Sequence, residues 1–133
     1  MTISGSCLCG AIGFTIEPPI PLFQYCHCSR CRKKTGSAHA ANLFVAPAQF
    51  AWTRGAEHAR RYELPTAQRF CSGFCSICGS SMPWLNKIGT MVVVPAGSLD
   101  DDPDVRPSRN VHFGSRAAWY EAAAELPVID GQP

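Results

Sequence analysis

GSCLCGAI, residues 5–12, sets two cysteines one residue apart and follows the second with glycine. In an extended chain, residues two apart point to the same face, so Cys7 and Cys9 can aim both sulfurs at one ion. Gly10 suits a sharp turn behind them, because a residue without Cβ takes positive φ freely. Far downstream lies a second pair with the same punctuation, Cys75-Ser76-Ile77-Cys78-Gly79. Here a tight turn brings the sulfurs together, and its free backbone N–H groups point at the thiolates. Zinc prefers four such ligands at about 2.3 Å in a tetrahedron. Cys7, Cys9, Cys75 and Cys78 therefore make one complete structural zinc site. It ties the N-terminal strand to a distant loop and adds metal-binding energy to folding.

A third group, Cys26-His27-Cys28-Ser29-Arg30-Cys31, carries three thiols. Three protein ligands leave zinc an open position, which marks a catalytic rather than a structural site. His27 sits between two cysteines, so alternation turns it away from the ion they share and toward a backbone or neighbouring-strand hydrogen bond. As a ligand it would close the site. Cys71 is the stronger rival for that fourth position. Alternation along RFCSGFC puts Cys71 on the same side as Cys75, within reach of either centre. The reading adopted for Cys71 is an ordinary buried strand cysteine. Two alternatives stand beside this scheme. A disulfide scaffold suits eight cysteines in a secreted chain, but CxC pairs do not readily bridge each other. A zinc ribbon for a protein or nucleic-acid partner suits the paired knuckles, but not the extra three-cysteine group.

The 133 residues make a single domain, 1–133, long enough to bury a real core. Apolar residues are 46% and charged residues 17%, which is globular rather than disordered composition. A formal charge of +2 does not suggest a nucleic-acid partner. The N-terminus MTISGSCLCG has no basic segment leading into an apolar run, and no stretch approaches the length of a membrane span. A soluble, cytoplasmic protein is expected, in which cysteines serve as ligands or reactive thiols.

Strand signals dominate. AIGFTIE places Ile12, Phe14 and Ile16 on one side. ANLFVAP and TMVVVPAGSL are short, β-branched or aromatic, and end near Pro or Gly. FAWTRG and ARRYEL read as two strands joined by GAEH. A turn of helix is expected after Cys31, through RKKTG. A longer helix is expected over SRAAWYEAAAEL, with Ser115 as its N-cap and Pro127 beyond its end. The acidic DDDPD reads as a solvated loop.

At these motifs the chain resembles the glutathione-dependent formaldehyde-activating enzyme family, whose domain also occurs in centromere protein V-like proteins. The resemblance is carried by GSCLCGAI at 5–12, YCHCSRCRKKTG at 25–36 and GFCSICGSSM at 73–82. Weaker likenesses follow in AGSLDDDP at 96–103 and VHFGSRAAW at 111–119. It implies a mainly β, Mss4-like fold of small coiled antiparallel sheets with a short C-terminal helix, stabilised by two zinc ions. By this resemblance Cys7, Cys9, Cys75 and Cys78 hold the structural zinc, and Cys26, Cys28 and Cys31 the catalytic one. Phe113 stands where the family often has Trp, a change that would bear on a pocket wall.

The activity implied is that of a carbon-sulfur lyase resembling S-(hydroxymethyl)glutathione synthase. Such an enzyme activates glutathione, or another small thiol, for reversible addition to formaldehyde or a related carbonyl. Arg30 and Lys33, with Arg32 and Lys34 beside them, are candidates to hold a substrate carboxylate. They can equally be solvated cations. His27 or His39 are candidates to move a proton. A non-catalytic thiol carrier, or a zinc-stabilised interaction module, is the competing reading. No nucleic-acid or membrane partner is expected, and the oligomeric state is left open.

Overall fold

The computed structural model describes residues 1–121 and 125–132. In chain order its elements are β1 (Ile3–Ser6), β2 (Gly13–Ile16), β3 (Leu22–Cys26), α1 (Ser29–Thr35), β4 (Ala40–Val45), β5 (Phe50–Arg54) and β6 (Ala59–Glu63). There follow β7 (Cys71–Cys75), β8 (Ser81–Met82), β9 (Trp84–Leu85), β10 (Val92–Pro95) and β11 (Asn110–Val111). They form three small sheets, ordered β1-β2-β5, β11-β3-β4-β10-β9 and β6-β7-β8. All pairings are antiparallel except that of β11, which lies parallel to β3. The expected mainly β fold of small antiparallel sheets is what the chain adopts.

Period-2 alternation explains the core. Ile12, Phe14 and Ile16 all point inward and are at most 1% exposed. They pack with Ile3 from β1, Leu43 and Val45 from β4, Met82 from β8, and Val92 and Val94 from β10. Each such side chain contributes roughly 1.5–3 kcal/mol when fully buried. Gly5 pairs with Phe14 across β1 and β2. The Phe14 ring occupies the space a Cβ at residue 5 would need, so this position demands glycine. Cys7 and Cys75 belong to the same buried cluster, so their sulfurs sit at the edge of the core itself.

FAWTRG and ARRYEL both become strands, β5 and β6, yet they do not pair. β5 adds to β2 and β6 pairs with β7, so the GAEH link carries the chain from one sheet to another. The helix expected after Cys31 starts earlier. Cys28 is its N-cap, its Sγ accepting the Cys31 N–H at 3.3 Å, and Cys31 lies in the first turn. Gly36, at φ +66°, ends it with an N–H donated to the Arg32 carbonyl at 2.8 Å. At the C-terminal end, Ser115 closes a 3-10 turn over Phe113–Ser115, and Tyr120 N–H bonds back to the Ala117 carbonyl. The α-helix expected over residues 115–126, with Ser115 as N-cap, does not form over 115–121, which run as turns and 3-10 geometry; its residues 122–124 lie outside the described residues.

The acidic stretch is not a free loop. Asp101 Oδ2 accepts the Ser4 N–H at 2.8 Å, and the Asp100 carboxylate accepts the Ser6 hydroxyl at 2.9 Å. The Asp100 N–H donates to the Ser4 carbonyl at 2.8 Å. This loop therefore covers the edge of β1 immediately before Cys7. Its aspartates are exposed, as composition predicted, but composition carries no sign of a partner so far away in sequence.

Candidate functional site

Cys7 and Cys9 follow β1, while Cys75 ends β7 and Cys78 lies in the turn behind it. Their four sulfurs lie within 4.8 Å of one another. Cys7 and Cys9 sulfurs are 3.6 Å apart, and those of Cys9 and Cys75 4.0 Å apart. A tetrahedron of sulfurs around zinc has an edge of about 3.8 Å, so this donor set fits that ion in both chemistry and size. The two turns are built alike. Gly10 at φ +82° and Gly79 at φ +79° return N–H groups to the carbonyls of Cys7 and Cys75. Backbone donors also face the sulfurs: Ile12 N–H to Cys7 at 3.2 Å, and Ile77 N–H to Cys75 at 3.4 Å. The Leu8 N–H donates to the Ser80 hydroxyl, joining one turn to the other.

The thiols of this group divide in their acidity. The Ser80 hydroxyl and N–H, with the Cys9 N–H, bring Cys78 down to about 5. Cys9 is pushed up to about 11. The Ala11 N–H opposes that rise, and lost solvation with the neighbouring Cys7, Cys78 and Cys75 overrides it. Thiolates so close cannot all ionise unaided, and a bound dication is what would let them.

The second group is local. Cys26 ends β3, Cys28 caps α1 and Cys31 sits within it, with the three sulfurs inside 4.8 Å. All three are half-buried. Among the described residues no fourth Cys, His, Asp or Glu joins them. The Cys31 thiol, then the Cys28 backbone and thiol, lower Cys26 to about 5 despite its burial. Cys31 is pushed up, first by its bond to Cys26 and then by burial. Three sulfurs with open surroundings fit a zinc ion that retains one exchangeable position.

Strand register places this group beside a cavity. Cys26 pairs with Ala40, Asn42 with Pro95, and Val93 with Trp84. Directly paired residues share a face, and alternation along β4 and β10 then puts Cys26, Ala40, Asn42, Pro95 and Trp84 on one side of the five-stranded sheet. On that side α1 and β7 enclose a cavity of about 180 Å³ with Cys31, Lys34, Phe70, Cys71, Ser72 and Trp84 in its walls. A wider polar groove of about 520 Å³ runs along Ser6, Leu8, Ser80 and Asp100. The two recesses share Ser81, Pro95 and Gly97. The groove is larger, but it is the cavity that contains a member of the three-cysteine group.

The other sequence candidates fall as follows. His27 is fully buried, and its Nε2 bonds Asn110 Oδ1 at 2.8 Å. Its ring packs against His39, Phe113 and Tyr120 at 4.9–5.0 Å between centroids. Phe113 lines neither recess and belongs to this aromatic group instead. Arg30 and Lys33 are exposed, and Lys33 borders a separate hollow near Trp119. Lys34 is the cation in the cavity wall, with Nζ donating to Ser81 Oγ at 3.0 Å and its pKa lowered by burial. Helical spacing explains the choice, since residues 31, 34 and 35 share one face of α1. Cys71 belongs to neither sulfur group; it is 4% exposed and accepts a bond from Arg61 Nη2 at 3.3 Å. Phe70, Ser72 and Trp84 carry no local sequence signal. Only the tertiary arrangement that sets α1, β4, β7 and β9 around one space brings them to the cavity.

Taken together, three small sheets and two sulfur groups define a small cysteine-rich β protein with places for two metal ions. Residues 2–115 match the sequence model of the glutathione-dependent formaldehyde-activating enzymes, and the chain belongs to that family. A Halomonas elongata protein provisionally named a glutathione-dependent formaldehyde-activating enzyme is 34% identical over 127 residues, covering 91% of this chain and 81% of its own. The crystal structure of a Rhodobacter sphaeroides protein has the same fold. It superposes with a TM-score of 0.63 at 22% identity, over 81% of this chain and 99% of that one.

Proposed function

We propose that the protein is a zinc-dependent enzyme of carbon-sulfur lyase type, joining a small thiol such as glutathione reversibly to formaldehyde or a related carbonyl. One observation carries this reading. Cys26, Cys28 and Cys31 converge without a fourth protein ligand among the described residues, next to a cavity that a substrate can enter. Family membership supports the thiol and the carbonyl as substrates. Cys7, Cys9, Cys75 and Cys78 would hold a second, structural zinc.

Zinc held by the three cysteines would lower the pKa of a thiol at its open position, so that a thiolate exists at neutral pH. The residues of the chain do the rest. The serine-lined groove, with the Asp100 carboxylate at one end, suits a polar peptide thiol carrying an ammonium. Lys34, where groove and cavity meet, suits its carboxylate. Arg30 and Lys33 provide positive potential from the exposed side of α1. His27 acts by position: its bond to Asn110 holds the strand end from which Cys26 and Cys28 project. In the reaction the thiol sulfur bonds to the carbonyl carbon, the π pair moves to oxygen, and the thiol proton ends on that oxygen.

The test is the rate of S-hydroxymethyl adduct exchange between glutathione and formaldehyde, followed by NMR with zinc-loaded protein. Exchange accelerated beyond the spontaneous rate, and lost in Cys31→Ser, is the expected result. Tight glutathione binding without acceleration would make the protein a thiol carrier instead.

A further inference from the structure

Formaldehyde has two heavy atoms, and the cavity beside Cys31 has about 180 Å³. A dry protein cavity of about 150 Å³ accepts benzene, so this space suits a group of roughly six carbons. Its walls agree, because Phe70, Trp84, Ala40 and Pro95 offer hydrocarbon. Formaldehyde would leave most of the apolar wall uncovered.

We propose that the preferred carbonyl substrate is an apolar aldehyde of about four to six carbons, whose hydrocarbon part fills the cavity between α1, β4 and β7. The inference rests on the thiol-addition reading above and names its substrate class. The chemistry is unchanged: the thiol sulfur adds to the aldehyde carbon and the thiol proton moves to oxygen, with no oxidant or reductant consumed. The polar thiol lies in the groove and the apolar chain in the cavity, and the two recesses meet at Ser81, Pro95 and Gly97.

The experiment uses zinc-loaded protein, glutathione and the straight-chain aldehydes from ethanal to hexanal, each rate divided by its spontaneous rate. The corrected kcat/KM should rise roughly fourfold per added methylene, the worth of one buried CH₂, until the cavity is full. Ala40→Leu, filling the space, should flatten that rise. Trp84→Ala, removing a wall, should weaken it, and serves if Ala40→Leu does not fold. A separate arm follows the Trp84 indole signal during titration with butan-1-ol and hexan-1-ol, which bind without reacting. Tighter binding of the longer alcohol is expected. A flat or falling aldehyde profile with formaldehyde still turned over would overturn this inference and leave the proposed function standing. No turnover of any aldehyde, with chain-length-dependent alcohol binding, would sink the proposed function and keep the cavity's preference.

Discussion

The two sulfur groups use the same ligand atom in opposite ways. Cys7 and Cys9 reach Cys75 and Cys78 across a separation of 66 residues between Cys9 and Cys75, joining the β1-β2-β5 sheet to the β6-β7-β8 sheet. Two of those cysteines are part of the buried core. Cys26, Cys28 and Cys31 span six positions at one strand end and one helix start, and all are half-buried. A metal in the first place closes a long loop and is coupled to folding. One in the second closes almost no loop, so its loss costs little chain entropy. On the proposed reading, ligand count and sequence separation together distinguish a clamp from a working site.

The sharpest way to break this contrast is to remove one ligand from each group. Cys7→Ser or Cys78→Ser should release the clamping ion and cost several kcal/mol, lowering the melting midpoint by on the order of 10 °C or more. Thermal melts followed by circular dichroism would measure it. An unchanged midpoint with lost activity would reverse the two assignments.

Cys31→Ser comes next. Zinc content should fall from two ions to one and glutathione affinity should vanish, with the midpoint moving by only a few degrees. Cys28 still caps α1 through its own sulfur, and the core is untouched. Graded chelation of the wild type should likewise remove one ion before the fold is lost. Simultaneous loss of both with unfolding would erase the distinction.

A pH profile sharpens the contrast within the three-cysteine group. In protein stripped of its labile metal, Cys26 is lowered to about 5, chiefly by Cys31, while Cys31 itself is raised. A lowered thiol pKa keeps the thiolate present as pH falls, until it protonates near that value. Its contribution to stability is therefore complete above about pH 9 and is lost as pH drops through that window toward 5. Iodoacetamide at pH 7 should label Cys26 well ahead of Cys31, as read by peptide mass spectrometry. Equal labelling would contradict the division.

The smallest effect is expected from Cys71→Ala. It should leave both metals in place and cost on the order of 1 kcal/mol, since a small buried side chain is lost from a strand. Loss of the second ion would make Cys71 its fourth ligand and close the open position.

Much of what could be read from neighbouring residues was read correctly, although the helix expected from Ser115 does not form as an α-helix over residues 115–121. The alternation of Ile12, Phe14 and Ile16 needs only adjacent residues, and it became β2 with its core face. The Gly-flanked cysteine pairs predicted turns with positive φ at Gly10 and Gly79, because glycine takes that conformation most readily. Family membership was legible for the same reason: CxCG, CHCxxC and CxxCG are short, ordered and chemically unusual together. Where the outcome depended on distant partners, the sequence was silent. Nothing in FAWTRG or ARRYEL says that each strand pairs elsewhere, and nothing in DDDPD names β1.

By itself, then, the sequence determined the strand class, the turn residues and the two cysteine sets, since each depends on spacing along one chain. Tertiary structure alone decided that Lys34, rather than Arg30 or Lys33, faces Cys31's cavity, and that Phe70 and Trp84 wall it. A cavity is the gap left between elements far apart in the chain. Its size and polarity are set by how those elements pack, a property no single segment carries.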